Sequence, residues 1–256
     1  MEPHFFIIIP TYKRAGKVQR AVDSVLSQSY EHATCIIVHD SPSDDSYTSF
    51  EEKYTNNPHI VYLTNEKNQG VNFSRNRALD HAKENSWIIF LDDDDYLAPG
   101  ALSMFASLIN AHKQETWFVA NRATKDGQSL TKINKEGSNK NYALHFLLTK
   151  KYKGDATHCI RKNNIKNTYF PKTVPQGDEW LFFYELSTTT GFFYTNWNAT
   201  LTDGYTDNGL NYRKRNTVEQ LKTLWSLFKE GTSRGLYVHP TFLAYIILRL
   251  IRAFVK

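Results

Sequence analysis

The chain has 256 residues, 41% hydrophobic and 14% aromatic, enough to bury a core of its own without disulfides or structural metals. Its two cysteines, Cys35 and Cys159, lie far apart in apolar surroundings and match no zinc-ligand spacing, which excludes a disulfide scaffold and points to a reducing compartment. The net charge is +5, yet residues 205–256 hold nine Lys/Arg against three Asp/Glu, so a near-neutral body carries a basic tail, which argues against a nucleic-acid binder.

In chain order, Phe5–Ile9 is a short β-rich apolar run that Pro10 is expected to end. It is too short for a secretion signal, and no run nears the roughly 20 apolar residues of a membrane span. The expected location is therefore cytoplasmic, at most peripheral at the inner face of the cytoplasmic membrane. Val18, Ala21, Val22, Val25 and Leu26 fall at i, i+3, i+4, i+7 and i+8 and predict a helix. Cys35–Val38 predicts a second strand, Tyr47–Tyr54 a second helix, Ile60–Leu63 a third strand and Phe73–Lys83 a third helix. Trp87–Leu91 is unbroken in its apolarity, which predicts a strand buried on both faces. Pro99 suits the first position of a helix carrying Leu102, Phe105, Ala106 and Ile109, and Thr116–Ala120 closes the series.

This alternation predicts an α/β fold, a mostly parallel sheet flanked by helices. Such sheets bind ligands beyond the carboxyl ends of their strands. The stretches to inspect are Pro10–Arg14, His39–Asp45, Asn65–Arg75 and Asp92–Asp95. Residues 121–178 are more polar, punctuated by Gly127, Gly137 and Gly154, and read as loops and short helices. The terminal run Phe242–Val255, with Arg249 and Arg252, reads as a basic amphipathic helix. It fits an anionic membrane surface, or packing on the domain or a second subunit.

The run Asp92-Asp93-Asp94-Asp95 follows a buried strand directly. Adjacent carboxylates repel, so something positive is expected beside them. Mg²⁺ or Mn²⁺, completed by diphosphate oxygens, would serve. Alternate residues of extended chain share a side, so Asp92 and Asp94 can converge while Asp93 points away. The other reading is a solvated acidic turn in which Asp95 caps the next helix.

Four segments together resemble the inverting glycosyltransferases of the GT-A superfamily, family 2. They are Ile7–Tyr12, Ile36–Asp44, Asn68-Gln69-Gly70 with Ser74-Arg75-Asn76, and Phe90–Asp95 followed by Pro99. The resemblance implies a GT-A, Rossmann-like domain over 1–204, with a donor half (1–120), an acceptor half (121–204) and a helical C-terminal extension over 205–256. It implies a nucleotide site of Pro10, Thr11, Tyr12, Arg14, Asp40, Asn68, Gly70, Arg75, Asp92 and Asp93. Thr11 and Asp40 would hold the base, Arg75 would face the nucleotide, Asp92 the ribose, and Asp94 with Asp92 the metal. Asp95 and Trp180 would face the acceptor, Trp180 being either core or a platform for a sugar. His39 in place of an acid, and Ser41-Pro42 in place of a glycine–serine turn, depart from the pattern. Gln176-Gly177-Asp178-Glu179-Trp180 resembles the acceptor-side segment that holds the catalytic base, which places the base at Glu179, with Asp178 as the alternative. Tyr212-Arg213-Lys214-Arg215 lies where such enzymes carry a loop over the donor, or forms a solvated basic face.

The implied reaction moves a sugar from a nucleotide-sugar, with UDP the expected nucleotide, to a hydroxyl of a bacterial surface glycan (O-antigen, capsule or lipopolysaccharide core). Transfer to a polyprenyl phosphate is a second possibility. A non-catalytic nucleotide-sugar-binding subunit is a third, though such a module needs no base.

Overall fold

The computed structural model describes residues 2–133, 135–139, 141–203 and 216–255. Four parallel strands form its first half: β1 (Phe5–Thr11), β2 (Ala33–His39), β3 (Ile60–Thr64) and β4 (Trp87–Phe90), ordered β3-β2-β1-β4. Helices α1 (Ala15–Leu26), α2 (Thr48–Tyr54) and α3 (Val71–His81) connect them. Pro10 does not end β1, because it pairs with Val38 and the strand continues to Thr11. The pairing of β1 with β4 stops at Ile8 and Phe90, so Pro10 has a strand on one side only, where a missing N–H is tolerated.

Beyond β4 the sheet turns mixed. β8 (Ala156–Arg161) runs antiparallel to β4, and β6 (Trp117–Thr124), β9 (Phe192–Thr202) and β5 (Asp95–Leu97) follow in that order, with β7 (Gly137–Asn139) also on β9. β5 is not anticipated from sequence. Asp95 starts it opposite Thr202 instead of capping a helix. Pro99 therefore precedes α4 (Ala101–Ala111), whose cap is Gly100 at φ +77°.

Alternation along the strands divides the core between two faces. Ile7, Ile9, Cys35 and Ile37 pack with Val18, Val22 and Phe105 on one side. Ile8, Ile36, Val38 and Ile88 pack with Leu79 of α3, Phe182 of α6 (Trp180–Ser187), Leu227 of α7 (Thr217–Ser233) and Phe242 of α8 (Pro240–Phe254) on the other. Phe242 is fully buried against Trp180, Tyr184 and Phe228, and burying such a ring is worth about 1.5–3 kcal/mol. The last two helices are thus fastened into the main core. Among the described residues no helix is long and apolar enough to cross a membrane. The basic segment 212–215 lies outside the described residues.

Candidate active site

A cavity of about 630 Å³ opens at the carboxyl ends of β1 and β4. One wall carries Pro10, Thr11, Tyr12, Arg14, Asp40, Asn68, Gly70, Arg75 and Asp92–Asp95, all of which the sequence singled out. The opposite wall carries Glu179 and Trp180 with Phe146, His158 and Phe183, and of these the three rings gave no sequence signal.

The first turn is built around a residue the sequence did not flag. The Tyr47 hydroxyl lies 2.6 Å from Thr11 Oγ1 and accepts the Arg14 backbone N–H at 2.9 Å. Thr11 in turn donates to Asp93 at 2.9 Å, so its buried hydroxyl is already engaged within the protein. Asp40 is engaged too: Asn65 Nδ2 and the Gln69 N–H donate to Oδ1 at 2.7 and 2.9 Å, and the Gly70 N–H donates to Oδ2 at 2.7 Å. A carboxylate has about four acceptor positions, so Asp40 chiefly anchors the turn that starts α3, with about one left for a base. His39, where an acid was expected, stacks on Tyr47 at 3.8 Å and lies within hydrogen-bond distance of Ser41 and Tyr62. Burial lowers its pKa, so it sits as a neutral imidazole.

The four aspartates alternate in environment. The side chains of Asp92 and Asp94 are 50% and 32% exposed, and those of Asp93 and Asp95 only 7% and 5%. Three arginines from elsewhere compensate them. Arg75 donates to Asp92 at 2.7 Å, Arg14 to Asp93 at 3.0 Å and Asp94 at 3.1 Å, and Arg122 of β6 to Asp95 at 2.8 Å. The repulsion that called for a cation is therefore met largely by protein charges, which were too distant in sequence to be paired with the run. Asp93 is turned inward as expected, and burial raises its pKa to about 6. Asp95, expected to face the acceptor, is buried and committed to Arg122.

No group of three His, Cys, Asp or Glu side chains is poised for a metal among the described residues. A Mg²⁺-type ion, however, commonly takes one or two carboxylates and completes its shell with phosphate and water. Asp92 and Asp94, all-oxygen donors at the cavity surface, fit that use once their arginines yield them.

On the opposite wall the acidic pair divides clearly. Glu179 lines the cavity, 38% exposed, and accepts from Arg75 Nη1 at 2.9 Å. Arg75 thus bridges Glu179 and Asp92 across the site, its ring-side face 5.2 Å from Phe170. The Asp178 side chain is 7% exposed, does not line the cavity, and is ion-paired with Arg249 of α8. Trp180 is 9% exposed, packed between Phe242 and Tyr245 with Arg249 over its ring. It belongs to the junction with α8 and presents no open platform. The half-buried rings that do edge the cavity are Phe90, Phe146, His158 and Phe183.

The sequence model of glycosyl transferase family 2 matches residues 6–170. The GalNAc(5)-diNAcBac-PP-undecaprenol beta-1,3-glucosyltransferase of Campylobacter jejuni is 27% identical over 175 residues, 66% of this chain and 55% of that protein. The poly(ribitol-phosphate) beta-N-acetylglucosaminyltransferase TarS of Staphylococcus aureus is 26% identical over 186 residues, 70% of this chain and 31% of that protein. The structure of TarS 1-349 in complex with UDP-GlcNAc superposes with a TM-score of 0.68 at 18% identity, covering 88% of this chain and 65% of that one, a likeness of fold. The chain spans about half the length of the first of these relatives and a third of the second. The matched span covers most of the chain, including the wall that carries Asp92–Asp95 and ending short of Glu179, and the protein belongs to glycosyl transferase family 2.

Proposed function

We propose that the protein transfers a sugar from a UDP-linked donor to a hydroxyl of a bacterial surface glycan in one inverting displacement. The observation that carries this reading is a cavity-facing carboxylate, Glu179, held by Arg75 opposite the half-exposed Asp92. A hydroxyl is a poor nucleophile until a positioned base takes its proton, an effect of about 10²–10⁴ in rate. Glu179 takes that proton as the acceptor oxygen attacks the anomeric carbon from the face opposite the nucleotide, and one displacement inverts the configuration. Arg75 fixes the carboxylate, and Phe146 and Phe183 line the same cavity. Asp94 and Asp92 would hold Mn²⁺ or Mg²⁺, which would offset the charge growing on the departing diphosphate. A nucleotide-binding module without chemistry would have no use for Glu179.

Uridine as the nucleoside is supported by the fold shared with TarS, whose structures include complexes with UDP and UDP-GlcNAc. A lipid-linked glycan as acceptor is supported by the name of the Campylobacter relative and by the outer face of α8. There Leu243, Ile247, Leu250, Ile251 and Phe254 are exposed at helical spacing beside Arg252, a face suited to an anionic membrane surface.

Calorimetry with UDP, with and without Mn²⁺, tests the donor side. The wild type should bind UDP more tightly with Mn²⁺, and Asp94→Ala should lose that increment while keeping its melting temperature. Equal affinities with and without Mn²⁺ in both proteins would refute the metal assignment. Binding of another nucleoside diphosphate in preference to UDP would refute the uridine.

A further inference from the structure

The loop between Val174 and Trp180 contains the residue placed above as the base, and its geometry is unusual. Gly177 and Asp178 both lie in the left-handed region, at φ +74° and +59°. Glycine adopts that conformation freely, whereas aspartate does so at a cost and persists there where its surroundings impose it. The Asp178 side chain shows what imposes it. Its Oδ1 accepts from Arg249 and, at 3.2 Å, from the indole N–H of Trp180, while the guanidinium lies over the Trp180 ring at 5.7 Å. The Asp178 carbonyl accepts the Leu181 N–H at 3.2 Å and so opens the first turn of α6. The orientation of residue 178 therefore sets the direction in which Glu179 leaves the backbone. Arg249 is one of two charges, with Arg252, in the largely apolar α8, a helix whose Phe242 and Tyr245 also pack on Trp180.

We infer that Arg249 is a positioning residue for the reaction, holding Asp178 in its left-handed conformation so that Glu179 faces the cavity and Arg75. This rests on Glu179 being the base. It gives the C-terminal helix a part in the chemistry although none of its residues lines the cavity.

The test uses the full chain in four variants: Arg249→Gln, Arg249→Lys, Asp178→Gly and the Asp178→Gly/Arg249→Gln pair. Crystals of Arg249→Gln should show residue 178 out of the left-handed region and Glu179 beyond hydrogen-bond reach of Arg75. UDP release from UDP-N-acetylglucosamine, used as the probe donor, should fall at least tenfold with the affinity for UDP unchanged. Arg249→Lys should restore most of the rate. Asp178→Gly removes the carboxylate but accepts the backbone angle, so Arg249→Gln should add nothing on that background. An unmoved Glu179 in Arg249→Gln crystals would overturn the inference. So would an equal loss from Arg249→Gln with and without Asp178. A fully active Glu179→Gln would instead overturn the base assignment and leave the backbone result standing on its own.

Discussion

On the donor wall the polar residues stand at the ends of β1, β2 and β4, within a few residues of backbone already fixed by parallel pairing. On the acceptor wall Glu179 stands on a loop with no strand beneath it. That loop is fastened by side chains from three helices. Glu230 of α7 accepts the Lys172 and Thr173 N–H groups at 2.8 and 3.0 Å, Asn72 of α3 donates to the Val174 and Gly177 carbonyls at 2.8 and 3.0 Å, and Arg249 of α8 grips Asp178. The donor wall is thus part of the sheet, and its buried charges hold the fold as well as line the cavity. The 174–180 segment of the acceptor wall is an attachment to that sheet, and its cavity-facing acid has Arg75 as its side-chain partner. Losses on the first wall should appear as stability, and losses on the second as rate.

The largest effect expected is on rate. Glu179→Gln should lower turnover by about 10²–10⁴ while UDP affinity and melting temperature stay near wild type. A variant that instead melts early would show that the acceptor wall is as structural as the donor wall. Arg122→Met is the counterpart. It leaves Asp95, 5% exposed, without its cation, and breaking a buried pair in this way costs about 3–5 kcal/mol. Urea unfolding should show that loss, and Asp95→Asn on the same background should return part of it. If stability is unchanged, the buried aspartates are not what hold β5 to β6 and β9.

Gly70 is where the two walls touch, and substitution there should blur the distinction between them. Its φ is +88°, and a Cβ would come within 2.3 Å of the Pro175 carbonyl oxygen. Both conditions exclude a side chain. Gly70→Ala should cost about 1–3 kcal/mol of stability through backbone strain alone. Because it pushes the 174–178 loop away from α3, it should lower UDP affinity and turnover together. An effect on only one of the two would place the junction wholly on one wall.

The same contrast explains what the sequence could disclose. Hydrophobic periodicity located the strands and helices of the first 120 residues to within a few positions, and the ends of those strands pointed to the polar residues that line the cavity. It could not show that Arg14, Arg75 and Arg122 neutralise the acidic run, since those contacts span 79, 17 and 27 residues. Tyr47 looked like one more aromatic of a short helix, although its hydroxyl organises the turn after β1. β5 is three residues long, and nothing in Asp95–Leu97 announces a strand until β9 lies beside it. The acid in Asp178-Glu179 that faces the cavity was decided by Arg249, 71 residues away. An arginine such as Arg249, set among apolar residues of a helix, is the kind of signal that could have prompted the search for a buried partner.

The smallest effect expected concerns the acceptor wall's stability in acid, and it tests whether that wall is structurally silent. His158 of β8 faces the cavity beside Phe183, at 4.2 Å, and its Nδ1 accepts the indole N–H of Trp117 at 3.1 Å. Burial pushes its pKa down from 6.5 to about 3, so the folded protein keeps the ring neutral where the unfolded chain would protonate it. Between those two values the unfolded state binds more protons. The contribution is therefore complete above pH 6.5 and is lost progressively as the pH falls toward 3. From pH 6.5 to 5 it amounts to at most about 2 kcal/mol, and less in practice because the ring partly meets solvent in the cavity. His158→Gln keeps an acceptor for Trp117 but cannot titrate. Urea unfolding at pH 7 and pH 5 should show a smaller acid loss in the variant than in the wild type. The other histidines cancel in that difference, so identical pH slopes would mean that His158 already protonates in the folded state, and that this side of the cavity is wetter than its packing implies.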